Sequence, residues 1–104
     1  GIQMKLYILS VCTMDGGNGD IVQPAVYRTK EAAQQRMAEV VASTVGVDLR
    51  KKGGPQWLWD QIENYGFVNT MNLYRSSDGN YVDVSDDDVW SMRCQVDEVE
   101  LEES

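Results

Sequence analysis

Residues 4–13 read Met-Lys-Leu-Tyr-Ile-Leu-Ser-Val-Cys-Thr and form a nearly continuous apolar run rich in strand-forming residues. A run of this kind is typical of a strand buried on both faces, so we place it centrally in a β-sheet. It superficially resembles the apolar part of a secretion signal ending at a lipoprotein cysteine. However, it is too short, and Val11 stands where a small residue should precede Cys12. The buried strand is the favoured interpretation.

The residues after this run predict its partner strand. Residues 15–20 read Asp-Gly-Gly-Asn-Gly-Asp, which is typical of a flexible turn. Residues 21–28 then return as a second strand, so the two make a hairpin. Pro24 has no N–H to donate to a neighbouring strand, which predicts that this second strand lies at an edge or carries a bulge.

Two helices are predicted next. Thr29 is a suitable N-cap for the first helix, because its hydroxyl can accept from the free amides of the first turn, and Gly46 ends that helix. The residues that repeat at helical spacing between them are Ala33, Met37, Val40, Val41 and Thr44. Pro55 is well placed as the first residue of a shorter helix that Gly66 ends. The apolar stripe of this second helix comprises Trp57, Leu58, Ile62 and Tyr65.

The C-terminal part predicts three more strands. Residues 67–75 alternate as one strand, with Phe67, Met71 and Leu73 on one face together with Asn69. Asp78-Gly79 is a hairpin-turn signal, and residues 81–84 would be a short return strand. The last strand covers residues 89–101. Its apolar parity switches after Val96, which suggests a bulge near Asp97-Glu98.

The predicted fold class is therefore α+β. We expect a two-layer sandwich in which a mostly antiparallel sheet of four to five strands carries two helices on one face, in the order ββααβββ. Residues 1–104 form a single domain, of which 102–104 are a frayed acidic tail.

The charge is concentrated in the last quarter of the chain. Residues 1–77 carry seven acids and eight bases, whereas residues 78–104 carry ten acids against one base, Arg93, so that stretch has a net charge of -9. This excess disfavours direct binding to nucleic acid or to anionic membranes. The only basic cluster is Arg50-Lys51-Lys52, for which a solvated loop is favoured over a phosphate site. No apolar run is long enough to span a membrane.

The chain contains no histidine, which excludes Ser-His-Asp and Cys-His catalysis and histidine-ligated zinc. The loop from Asp15 to Asp20 has oxygen side chains, but the twelfth position of a calcium-binding loop is occupied by Val26 instead of Glu. Residues 86–88 are three consecutive aspartates, and a solvated turn is favoured over a divalent-ion site. We predict no catalytic residue, no metal site and no cofactor.

The two cysteines, Cys12 and Cys94, both lie in apolar strand-like contexts. Two buried thiols in a cytoplasmic protein are the favoured interpretation, because Cys often behaves as a small buried hydrophobe. A disulfide between two strands of one sheet stays open as the alternative.

The second helix carries the candidate interaction surface. Trp57 and Trp59 lie about 200° apart on a helix, so they cannot both face one core. Either the helix is buried on two sides, with Trp57 packed beneath the loop 50–55, or one indole is exposed. An exposed Trp near Tyr65 would be a contact surface. The candidate residues are Trp57, Trp59, Tyr65, Asp86, Asp87 and Asp88.

The leading functional hypothesis is a small non-enzymatic interaction module, bacterial or phage-like in character, that binds another protein through a sheet edge or the Trp-bearing helix. An edge strand would also allow a homo-oligomer. One alternative is an acidic mimic of nucleic acid that inhibits a basic protein, with the carboxylates of residues 78–104 imitating phosphates. Another is a small carboxylate-dependent enzyme, which would need convergent acids in a pocket.

Overall fold

A computed structural model describes residues 3–102 of the chain. The elements follow in the order β1 (Gln3–Asp15), β2 (Asn18–Tyr27), α1 (Lys30–Val45), a 3-10 helix (Leu49–Lys52), α2 (Pro55–Tyr65), β3 (Phe67–Val68), β4 (Met71–Arg75), β5 (Tyr81–Ser85) and β6 (Trp90–Glu102). The strands form one antiparallel sheet in the order β2-β1-β6-β5-β4-β3. The predicted α+β class with two helices is confirmed, but the sheet has six strands instead of four or five.

The additional strand arises because the predicted strand 67–75 is interrupted by a turn. Asn69 adopts a positive φ of 54°, and its side-chain amide donates to the Val45 carbonyl at 2.6 Å. The chain reverses there, so Phe67 pairs with Asn72 and lies on the face opposite to Leu73. The prediction that Phe67 and Leu73 share a face is therefore wrong, and the element order becomes ββααββββ.

Both expectations for Pro24 are confirmed. β2 is an edge strand, so no strand lies on its outer side that would need a hydrogen bond from Pro24. The register of β1 against β2 also shifts between Leu9 and Val11, where Gln23 and Pro24 together stand opposite Ser10. Two residues opposite one are a β-bulge.

The predicted bulge in β6 is wrong. The register of β6 against β1 is unbroken from the Gln3–Glu102 pair to the Asp15–Trp90 pair. Side chains therefore keep alternating through the strand, and Val99 lies on the face opposite to Val96. Glu102, predicted to begin a frayed tail, is the last residue of β6, and residues 103–104 lie outside the described part.

The helix ends follow the predicted capping chemistry. The Thr29 hydroxyl accepts from the Ala32 N–H at 3.1 Å, and Gly46 ends α1 in the left-handed region at φ 80°. Pro55 is the first residue of α2, and Gly66 ends that helix at φ 66°. Neither α1 nor α2 combines the length and the apolar character that crossing a bilayer requires.

One core lies between the helices and one side of the sheet. Its buried residues are Leu9, Val11, Ala33, Met37, Ala38, Val41, Ala42, Val45, Leu49, Leu58, Ile62, Val68, Leu73, Val82, Val84, Met92, Cys94 and Val96. The strand members of this set occupy positions that pair across the sheet, and paired residues of antiparallel strands project to the same side. We call this side of the sheet the covered face.

The opposite side of the sheet, which we call the open face, is packed against no helix. In β1 its positions are occupied by Ile8 and Ser10, which are half-buried, and by Cys12 and Met14, which are exposed. The expectation that β1 is buried on both faces is therefore wrong. β1 does lie between two neighbouring strands, β2 and β6, so its placement inside the sheet is confirmed.

Candidate functional site

The two tryptophans of α2 are both half-buried and are covered from different directions. Trp57 lies beside the 3-10 helix, where the Lys52 ammonium is 5.0 Å from the centroid of its ring. This contact matches the interpretation that Trp57 packs beneath the loop 50–55. Trp59 faces the sheet edge instead, with the Arg75 guanidinium 4.1 Å from its ring centroid. Both indoles are therefore partly covered, and the aromatic contact surface considered from the sequence stays a prediction.

Tyr65 departs from the predicted apolar stripe of α2. Leu58 and Ile62 of that stripe are buried, but Tyr65 at the end of the helix is 71% exposed. The residue sits where the helix has already passed the core, because Gly66 directs the chain into β3. Tyr65 and Trp59 line the same cleft, so the structure brings these two candidate residues together.

The three consecutive aspartates form the turn between β5 and β6. One carboxylate oxygen of Asp86 accepts from the N–H groups of Asp88 and Trp90, both at 3.0 Å, and Asp87 accepts from the Asn72 amide at 2.8 Å. The turn lines neither of the clefts that contain Trp57 and Trp59. Within residues 3–102, no cluster of three or more His, Cys, Asp or Glu side chains could hold a metal ion.

The open face carries most of the exposed apolar side chains of the described residues. Ten large hydrophobic residues are exposed, and strand pairing places seven of them on this face. These seven are Met4, Met14, Ile21, Val26, Phe67, Tyr74 and Leu101. The sequence did not identify this surface, because the switch of apolar parity to Val99 and Leu101 suggested a bulge, whereas the unbroken register places both residues on the open face.

The open face is also nearly uncharged. Arg93 donates to both carboxylate oxygens of Asp83, at 2.6 Å and 2.8 Å, and its guanidinium lies 4.4 Å from the ring centroid of Tyr81. The hydrogen bond and the charge of Asp83 raise the pKa of Arg93, and the two opposite charges lie side by side on this face. Asp97 is the one other charged residue at the open-face strand positions of residues 3–102, since Glu98 and Glu100 project to the other side.

A concave site lies at the edge of the sheet, between α2 and β4. Its cavity measures about 600 Å³, and Arg75 of β4 is the basic residue of its lining. Trp59, Glu63 and Tyr65 of α2 form one wall, and Tyr74 lies beside Arg75 on the other. The aspartate turn and Trp57 are not part of this cleft.

The two cysteines lie on opposite faces of the sheet. Val11 pairs with Cys94 and the next residue, Cys12, pairs with Arg93, so the two thiols project in opposite directions and both are free. Cys94 is buried on the covered face, where burial raises the pKa of its thiol to about 12. Cys12 is exposed on the open face, which contradicts the prediction that both thiols are buried.

In comparisons with known proteins, no family model matches the chain, and no curated protein or solved structure shows significant similarity to it.

Proposed function

We propose that this protein is a non-enzymatic binding module that contacts a partner protein through the open face of its sheet. The observation that carries the proposal is the composition of that face. An antiparallel sheet with one solvated side normally alternates apolar residues inward and polar residues outward. Here the outward positions of β1, β2 and β6 include Met4, Met14, Ile21, Val26 and Leu101, all of them exposed.

The charge distribution indicates the chemistry of the partner surface. The chain has a net charge of -8, yet among residues 3–102 the open-face strand positions hold only Asp97 besides the Asp83–Arg93 pair. A partner that docks here therefore gains little from positive charge and most from apolar area. We commit to a partner protein with an apolar, weakly charged contact surface.

The size of the face suits a stable complex. β1 and β6 have 13 residues each, β2 has 10, and β4 and β5 have five each. At about 3.4 Å per residue and about 4.8 Å between strands, these five strands span on the order of 700 Å². A specific interface of standard size buries roughly 800 Å² on each partner. The open face can therefore supply almost all of one side of such an interface.

The test compares a variant of the open face with a control in the same strand. Met14→Gln/Ile21→Gln removes apolar area from the open face, whereas Val22→Gln changes an exposed valine of β2 that pairs with Val11 and projects to the other side. A partner captured by the wild-type chain is purified, and its affinity for each variant is measured by calorimetry. We expect the open-face variant to bind at least about tenfold more weakly and the control to bind as the wild type does.

Two results would contradict this proposal. Equal affinity of both variants would remove the open face from the interface. A concentration-dependent dimer in light scattering, abolished by Met14→Gln/Ile21→Gln alone, would identify a second copy of this chain as the occupant in place of a different protein.

The two alternatives receive less support. The acids of residues 78–104 that would imitate phosphates divide between the turn at 86–88 and the end of β6, and Asp83 is neutralised by Arg93. They do not form one continuous track within the described residues. The carboxylate-dependent enzyme requires convergent acids in a pocket, and Glu63 is the only acid among the described residues that line the cleft between α2 and β4.

A further inference from the structure

Arg75 is half-buried, unlike the exposed arginines of the chain, and among residues 3–102 it has no acidic partner. Arg36 lies 3.1 Å from a Glu39 oxygen and Arg93 lies 2.6 Å from an Asp83 oxygen. The Arg75 side chain is half-buried and makes no hydrogen bond and no ion pair with any residue of the described part, and its Nε is fully buried without a partner. A buried guanidinium is normally paired, because desolvation without compensation is unfavourable. The arrangement therefore lacks an acceptor.

The Arg75 guanidinium is held in place from two directions. It lies 4.1 Å from the centroid of the Trp59 ring, and it packs so closely against Gly79 that an added Cβ there would be 2.7 Å from Nη2. Aromatic stacking uses the faces of a guanidinium and leaves the N–H groups at its edge available. A group fixed in this way loses little side-chain entropy when it binds an anion.

The cleft beside Arg75 offers a further donor and an apolar rim. The Leu73 N–H donates outward to the Gly66 carbonyl at 2.9 Å, whereas the Ser76 N–H donates to Tyr81 of the neighbouring strand at 3.0 Å. Because backbone groups alternate along a strand, the N–H of Arg75 points outward, toward the cleft side of β4. Tyr65 and Tyr74, 71% and 56% exposed, supply aromatic surface at the rim.

Glu63 is the acid of this cleft, and its charge acts on Arg75 from beyond ion-pair distance. Burial lowers the pKa of Arg75, and the negative charge of Glu63 opposes that effect only in part. The described residues therefore leave the positive charge of Arg75 incompletely compensated. Glu63 would repel a bound anion, so its neutralisation should strengthen binding.

We propose that the cleft between α2 and β4 binds an organic carboxylate with an aromatic or apolar body, which Arg75 holds through the N–H groups of its two Nη atoms. A planar carboxylate matches the fork of a guanidinium, and the body of the ligand lies against Tyr65 and Tyr74. The cleft borders the partner surface proposed above and shares Tyr74 with it, while Arg75, Trp59 and Glu63 lie outside the open face.

The experiment titrates the full chain with 3-phenylpropionate and, as the neutral counterpart, with 3-phenylpropionamide. The readout is the Trp59 indole N–H signal in a ¹⁵N–¹H spectrum, assigned with Trp59→Phe. We expect a saturable shift with the acid at millimolar concentration and none with the amide. Arg75→Gln should weaken binding at least about tenfold, and Glu63→Gln should strengthen it about threefold. Arg28→Gln, the same charge change at an exposed arginine, should bind as the wild type does.

Arg75→Lys is a second variant that tests the same contact if Arg75→Gln does not fold. It keeps the charge and loses the planar fork, so we expect weaker binding with a dispersed, folded spectrum. The proposal is overturned if neither the wild type nor Glu63→Gln responds at about 20 mM acid, or if acid and amide bind alike. It is also overturned if a folded Arg75 variant keeps full affinity. Tighter binding of N-acetyl-alanyl-phenylalanine than of N-acetylphenylalanine would support a peptide C-terminus as the source of the carboxylate, and equal binding a free acid.

Discussion

The two faces of the sheet are built from the same strands and differ in what covers them. On the covered face, Val82, Val84 and Cys94 lose all exposure because α1 and α2 pack against them. On the open face, Ile21 and Val26 keep 76% and 58% of theirs. Apolar residues therefore occur on both sides, and the position of the helices decides which of them form the core. Apolar side chains therefore have two roles here. On the covered face they stabilise the fold by burial, and on the open face they are available for contact with a partner.

A matched pair of leucine substitutions gives the largest expected contrast between the faces. Leu73 of β4 is 6% exposed on the covered face, whereas Leu101 of β6 is 47% exposed on the open face. We expect Leu73→Ala to lower the free energy of unfolding by about 3 kcal/mol, through lost burial and an unfilled cavity. Leu101→Ala should change it by less than about 0.5 kcal/mol. Urea denaturation of both variants measures the contrast, and equal losses would show that the open face is covered by the folded chain itself.

The two cysteines, one on each face, should contribute differently to the pH dependence of the free energy of unfolding. Burial raises the pKa of the Cys94 thiol to about 12, above its ordinary value of about 8.5 in the unfolded chain. The folded state therefore holds the proton more tightly, and this contribution to stability is complete below about pH 8.5 and is lost as the pH rises toward 12. We expect the free energy of unfolding to fall by about 1.4 kcal/mol per pH unit above pH 8.5, or about 2 kcal/mol by pH 10.

Single substitutions assign that pH dependence. Cys94→Ala should remove most of the slope between pH 8.5 and pH 10, whereas Cys12→Ala on the open face should keep it. The measurement is urea denaturation at several pH values. A slope that survives Cys94→Ala would mean that another group on the covered face titrates in this range.

Local chemistry explains why the helices could be predicted and the open face could not. Thr29 and Pro55 act on backbone groups within one turn of themselves, so their roles are visible in the sequence. Coverage of β1 depends on where distant helices pack, and its nearly continuous apolar run, which is typical of a strand covered on both sides, gave no sign that one side stays open. The parity switch after Val96 was real, but it marks where β6 passes beyond the core and not a bulge.

The cleft at the candidate site could also not be predicted from the sequence, because it depends on contacts between distant residues. Trp59 was selected from the sequence as a contact residue, yet its partner Arg75 lies on a strand beyond an unpredicted turn at Asn69. Asn69 is a residue type that tolerates the left-handed conformation, but Asn-Thr at residues 69–70 also fits the alternation of a strand, so this weak local signal did not decide for the reversal. A cleft formed by α2 and the edge of β4 could be predicted only once that edge was known.

Weakening α1, which packs on the covered face, should lower the free energy of unfolding moderately. Thr29→Ala removes the hydroxyl that accepts from the Ala32 N–H at 3.1 Å. We expect the free energy of unfolding to fall by about 1 kcal/mol, as for other N-cap losses. Thr70→Ala, at an exposed turn position, serves as the control and should leave stability unchanged. A loss as large as that of Leu73→Ala would indicate that α1 depends on its cap far more than on its packing.

The smallest effect is expected from the best-formed polar contact of the open face. Arg93 donates to both oxygens of Asp83 and lies over Tyr81, but all of these groups remain accessible to solvent. Exposed ion pairs contribute little, because water and salt screen the charges and the side chains lose entropy. In a double-mutant cycle with Arg93→Gln and Asp83→Asn, we expect a coupling free energy smaller than the loss caused by Thr29→Ala, and smaller still in high salt. A coupling as large as the Leu73→Ala loss would mean that something shields this pair from solvent. In that case the open face would not be the accessible contact surface that the binding proposal requires.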